Sequence, residues 1–181
     1  MAQTNGINGD PAHIMYPEFK DKVVLLTGIG QSGDQNMWGN GAATARVLCQ
    51  NGAKIFGCDL RLPAAQHTQK RLQAEGGICD VMAADVTSDT DVKALVDACM
   101  AKYGRIDILI NNVGMSEPGG PAEMVPHVWD KQTDVNLKSV YLCCHYVLPI
   151  MEAQGAGVVI NVASIAVSLT TSQPAQGTAL I

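Results

Sequence analysis

Two groups of residues in this 181-residue chain have the types and spacing for chemistry. The first is glycine-rich and follows an apolar run. Gly28-x-Gly30-x-x-Gly33 has the spacing of a dinucleotide fingerprint, and Gly39-x-Gly41 follows closely. Glycine lacks a Cβ, so its peptide N–H can approach a diphosphate, especially where a helix amino terminus adds its own unpaired amides. The two glycine sets compete. After Gly33 comes Asp34-Gln35-Asn36-Met37-Trp38, poor helix material, whereas Gly39-x-Gly41 leads directly into Ala42–Gln50, which has helical composition. The second set is therefore favoured for the diphosphate, with Gly28 turning the chain and Gly30 and Gly33 carried in a longer loop. The second group is Asp59, roughly twenty residues past the glycine turn at the end of another apolar run. A carboxylate there accepts hydrogen bonds from both hydroxyls of an adenosine ribose and repels a 2′-phosphate, which favours NAD over NADP. Arg61, two residues on, can turn toward a phosphate and keeps NADP open.

The elements that must position these residues alternate regularly. Lys22–Thr27, Ala53–Asp59, Ile78–Ala84, Ile106–Ile110 and Val158–Val162 are short, almost wholly apolar runs, as expected of parallel strands buried on both faces. Between them Ala42–Gln50, Pro63–Glu75, Asp89–Tyr103 and a long stretch from Val125 to Gln154 are expected as helices, stopped by Gly52, Gly76-Gly77 and Gly104. On the third, Val92, Leu95, Val96 and Cys99 share one face. Strand–helix alternation of this kind implies an α/β fold: a doubly wound parallel sheet, Rossmann-type, with three α/β/α layers. Residues 1–19 are expected to form a flexible arm and residues 20–181 a single domain.

Composition narrows the function classes. An apolar fraction of 47% suits a globular domain, while a net charge of −5 and 4% aromatic residues give no footing for nucleic acid or an anionic membrane. The amino terminus has no basic segment followed by an apolar run, so a cytoplasmic location is the expectation. Five of the six cysteines fall in apolar, periodic segments and are expected as buried thiols. His13, His67, His127 and His145 lack metal-ligand spacing, and no metal is expected.

Several segments resemble the short-chain dehydrogenase/reductase family. Thr27-Gly28 followed by Gly39-x-Gly41 is similar to its Thr-Gly-x-x-x-Gly-x-Gly turn, with an insertion after the first glycine. Ala84-Asp85-Val86-Thr87 resembles the Asp-Val pair that holds the adenine edge, and Asn111-Asn112-Val113-Gly114 resembles Asn-Asn-Ala-Gly, with Val113 in place of alanine. The resemblance implies that Gly28, Gly39, Gly41, Asp59, Asp85, Val86, Asn112 and Gly114 bind cofactor. It matches Asn136 to the helix asparagine whose carbonyl holds a water of the proton relay. It matches Ser164, in Asn161-Val162-Ala163-Ser164, to the catalytic serine that bonds the substrate oxygen. The implied activity is hydride transfer between NAD, or NADP, and a secondary alcohol or carbonyl compound, in a homo-oligomer.

The chain departs from the family at one place. A Tyr-x-x-x-Lys motif should follow Ser164, because a neighbouring cation is what brings a tyrosine with an ordinary pKa of about 10 into use near neutral pH. Gly177 and Ile181 stand where the pair would fall. Tyr16-x-x-x-Lys20 spells the motif but precedes the first strand, and Tyr141 and Tyr146 suit helix packing. The expectation is a domain truncated at its carboxyl-terminal sheet edge and with negligible turnover of its own. A non-catalytic dinucleotide-binding or regulatory module, pairing with a full-length relative, is the alternative. An extended-type epimerase fits the short Ser164 region and Asn-Asn-Val-Gly less well.

Overall fold

The structure is a computed structural model and describes residues 16–163 apart from Ser32, Gln35, Pro118 and Pro121. Its strands are β1 (Val23–Thr27), β2 (Lys54–Asp59), β3 (Ile78–Ala83), β4 (Ile108–Asn111) and β5 (Val158–Asn161). They form one parallel sheet in the order β3-β2-β1-β4-β5. The helices are α1 (Asn40–Gln50), α2 (Leu62–Ala74), α3 (Asp89–Tyr103), α4 (Pro126–Thr133) and α5 (Ser139–Gln154).

The apolar runs are strands because a central parallel strand buries both faces. In β1, Val23 and Leu25 join a core with Val92, Leu95 and Val96 of α3 and Leu142 and Val147 of α5. Val24 and Leu26, one residue out of phase, join Ala45 and Leu48 of α1 and Ala65 and Leu72 of α2. The period of two along a strand thus divides the molecule into three layers. The expected α/β architecture is present, with element ends moved by one or two residues.

Two local features differ from expectation. Residues 16–19, assigned to the arm, are packed: Pro17–Phe19 form a 3-10 turn, the Tyr16 N–H donates to Asn51 Oδ1 at 2.6 Å, and Phe19 rests on the α1–α2 core. A proline-started turn carrying an aromatic side chain gains enough burial to dock. The long helical stretch is divided by a π-turn at Asp134–Lys138, which joins α4 to α5. Hydrophobic spacing does not show a single widened turn of this kind.

The amino-terminal end of the sheet is held by charge. Asp107, 8% exposed, accepts the Val23 N–H at 2.9 Å and is gripped by Arg105 at 2.9 and 2.6 Å. Burial alone would raise its pKa, but the Arg105 and Val23 hydrogen bonds and the charges of Arg105 and Lys22 outweigh it and hold the carboxyl below its ordinary range. At the carboxyl ends the chain runs outward from β1 to β3, then returns to β4. That reversal opens a crevice between the β1 and β4 turns.

Candidate functional site

The crevice is a cleft of about 300 Å³ walled by four successive strand ends. Gly28 and Gly30 come from the turn after β1, Asp59 and Leu60 from that after β2, Ala84 to Thr87 from that after β3, and Asn112 to Gly114 from that after β4. Val135 of the π-turn completes it.

The β1 turn is fixed by β4. Thr27 Oγ1 accepts the N–H groups of Asn112 and Val113 at 3.0 and 3.3 Å, and Asn112 Nδ2 donates to the carbonyls of Thr27 and Gly28 at 3.2 and 3.0 Å. Gly28 has φ +69°, a left-handed conformation that favours glycine. Gly41 lies directly beneath, where a Cβ would strike the Gly28 carbonyl and come within 2.7 Å of Asn112 Nδ2. Gly41 thus permits α1 to pack against the first turn. It belongs to the support of the cleft, while Gly28 belongs to its wall.

Gly39 is the amino-terminal cap residue of α1, so the helix does follow the second glycine set. Its own N–H donates to Gln31 Oε1 at 2.6 Å and is not aimed at the cleft. Gly39 has no side chain to cap the helix, and the first amides of α1, from Asn40 to Ala42, are the ones that helix geometry leaves without intrahelical partners. The wall position itself is taken by Gly30, which sequence reasoning had carried in the longer loop. A Cβ on Gly30 would lie 2.7 Å from Asp59 Cγ and 2.9 Å from Ala64 Cβ. The Gly28-x-Gly30 spacing was the available signal. The break in helical composition after Gly33, which is open with φ +73°, concealed it.

Asp59 stands at the lip of the cleft with both oxygens engaged by backbone. Oδ2 accepts the Gly30 N–H and Oδ1 the Arg61 N–H, each at 3.0 Å. Each carboxylate oxygen keeps a further lone pair for a hydroxyl donor. Asp85 Oδ1 accepts the N–H and hydroxyl of Thr87 at 2.9 and 2.7 Å, and the Asp85 N–H donates to Asp91 in the first turn of α3. This holds the Asp85-Val86 backbone across the cleft from Gly30. Cys58 is in the wall, and burial pushes its thiol far up, with Cys143 adding to the effect, so it acts as apolar surface.

Asn136 lies in the π-turn and reaches back to the β4 turn. Its Oδ1 accepts the Met115 N–H at 2.8 Å and its Nδ2 donates to the Met115 carbonyl at 2.9 Å, beside Gly114. Its side chain positions the segment leaving Gly114. Asn111 does not line the cleft: its Nδ2 donates to Asn161 Oδ1 at 2.8 Å, joining β4 to β5. Ser164, Gly177 and Ile181 lie outside the described residues.

A parallel sheet of this order, flanked by helices, defines a Rossmann-like α/β domain. The sequence model of the short chain dehydrogenases matches residues 22–175, and the chain belongs to that family of oxidoreductases. It is 34% identical over 154 residues to the cyclohexanol dehydrogenase of Acinetobacter sp. (strain SE19), covering 84% of this chain and 59% of that enzyme. A Burkholderia xenovorans structure, solved as that of a candidate short-chain dehydrogenase/reductase, superposes with TM-score 0.82 at 39% identity, over 87% of this chain and 62% of the other. A metagenomic short-chain oxidoreductase solved in complex with NADP superposes with TM-score 0.75 at 30% identity, over 89% of this chain and 68% of the other. The chain thus spans about three fifths of the cyclohexanol dehydrogenase it matches.

Proposed function

We propose that this chain binds a nicotinamide dinucleotide, NAD in preference to NADP, as the cofactor-binding part of an oxidoreductase acting on a secondary alcohol or carbonyl compound. The observation that carries the reading is Asp59: a carboxylate at the lip of the cleft, oriented by the Gly30 and Arg61 amides, with lone pairs left for the adenosine ribose. The donor set fits the cofactor. Gly28 and Gly30 keep the first turn packed tightly on Asn112, Val113 and Asp59, where a Cβ would strike, and the uncapped start of α1 supplies amides for a diphosphate. Asp85 and Val86 offer carboxylate and backbone to the adenine edge.

Bound nicotinamide would supply the hydride chemistry at its C4. The chain's own residues bind, orient and shield. Asn112 and Thr27 keep the first turn rigid, Val113 and Val135 present apolar surface, and Asn136 sets the direction of the segment after Gly114. Ser164 is assigned to the substrate oxygen. With Gly177 and Ile181 at the tyrosine and lysine positions, this 181-residue chain is expected to bind cofactor with negligible turnover. The named substrates of its relatives, cyclohexanol and D-threitol among them, support the alcohol or carbonyl class.

Calorimetric titration with NADH and NADPH tests the reading. Saturable binding of NADH, at least about tenfold tighter than NADPH, is expected from a carboxylate facing the 2′ position. Binding of neither dinucleotide would refute it.

A further inference from the structure

Twelve residues, 28 to 39, separate β1 from α1, against roughly two to six in most strand-to-helix connections. A connection of that length beside a cleft is usually either part of the site or an obstruction to it. Beyond the wall residues Gly28 and Gly30, two of its described side chains, Gln31 and Trp38, tie it down outside the cleft.

The first is Gln31, which is 4% exposed. Its Oε1 accepts the Gly39 N–H at 2.6 Å and its Nε2 donates to the Asp34 carbonyl at 2.9 Å. Gln31 is next to the wall residue Gly30, and Gly39 caps α1. One buried amide therefore joins the two ends of the connection and sets the distance between cleft wall and helix start. The second is Trp38. Its ring lies under the Arg71 guanidinium at 3.6 Å, with Arg46 at 4.9 Å, and it packs on the α1–α2 core. Arg71 Nη1 also donates to the Met37 carbonyl at 2.7 Å, and Arg46 is held by Glu75 at 2.7 Å. Arg46 belongs to α1 and Arg71 to α2, so the tip of the connection is drawn onto the outer helical layer.

We propose that Gln31 and Trp38 are positioning residues for dinucleotide binding: they clamp the long β1–α1 connection to the α1–α2 surface and so preset the Gly28–Gly30 wall and the start of α1. The inference rests on the dinucleotide reading above. Its physical basis is preorganisation, since a site competent only part of the time binds with an affinity reduced by that fraction.

The test uses the whole chain and compares it with W38A, W38F and R71A. NADH affinity is measured by fluorescence, and amide hydrogen exchange of residues 36–39 is measured without ligand. W38A is expected to weaken NADH binding about tenfold and to accelerate exchange at 36–39, leaving β1 and α3 protected. W38F keeps a ring for the guanidinium to cover and is expected to restore affinity to within about twofold. R71A leaves the indole in place and is expected to weaken binding about threefold, so the test survives if W38A does not fold. A parent chain that binds NADH together with W38A and R71A chains that bind it equally would overturn this inference alone. A parent that fails to bind NADH would overturn both the inference and the dinucleotide reading.

Discussion

At the scale of single residues, Asp59 and Gly30 form one unit. Asp59 supports the glycine turn before any ligand arrives, so its replacement should do more than remove a ribose contact. D59A leaves the Gly30 and Arg61 amides without their acceptor and should weaken NADH binding by about tenfold or more, with a smaller effect on NADPH. Calorimetry on the two cofactors reads both effects. D59N keeps the shape but places an amide donor against one of two N–H donors, and should recover only part of the affinity. G30A drives a methyl group against Asp59 and Ala64 and should lower stability by roughly 1–3 kcal/mol in chemical denaturation. Asp59 was legible in the sequence because it ends an apolar run at a known remove from the glycines. Gly30's place in the wall was not, because it depends on Gln31 closing the connection behind it, a contact between residues eight apart that no local pattern announces.

At the scale of elements, the strands were the most legible part. Runs such as Val23–Thr27 have no polar face, and burial on both sides is the arrangement that accommodates them. Helix α3 spans the residues expected and is capped at both ends: the Ser88 side chain accepts the Asp91 N–H at 3.3 Å, and Gly104 ends the helix with φ +73°. S88A should therefore cost about 1 kcal/mol, read as a lowered thermal midpoint. It should also loosen the Asp85 wall, because Asp91 receives the Asp85 N–H. The π-turn at Asp134–Lys138 was hidden, since the residues around it keep helical composition.

Asp107 gives the elements a pH dependence. Its folded pKa is depressed, so its contribution is fully present above the unfolded value of about 4 and is lost as pH falls through the folded one. D107N should be less stable than the parent at pH 7 by roughly 1–3 kcal/mol, because the Val23 N–H and Arg105 lose a charged acceptor. The two stability curves should converge below about pH 4. Parallel curves down to low pH would show that this carboxylate does not carry the linkage.

At the scale of the whole molecule, β5 is the margin of the sheet among the described residues. It pairs with β4, and among the described residues no strand lies on its other edge. Val158, Ile160 and Val162 are 53%, 44% and 49% exposed on one face, while Val159 packs inward. An apolar, β-branched edge of this kind invites pairing with another chain. Light scattering across a concentration series should show association of the 181-residue chain, reduced in a V158K/I160K variant. The sequence shows an apolar, β-branched run here but not that one face of it is exposed. The identity of whatever covers it depends on residues beyond the strand.

The role of the cleft depends on where a dinucleotide sits. Amide chemical-shift mapping of the isotopically labelled chain with NAD+ tests that most directly. The largest changes should fall on Gly28, Gly30, Leu60, Asp85, Val86 and Gly114, around the carboxyl ends of β1 to β4. Undisturbed spectra at saturating NAD+, or changes gathered at the Asp107 end of the sheet, would contradict it.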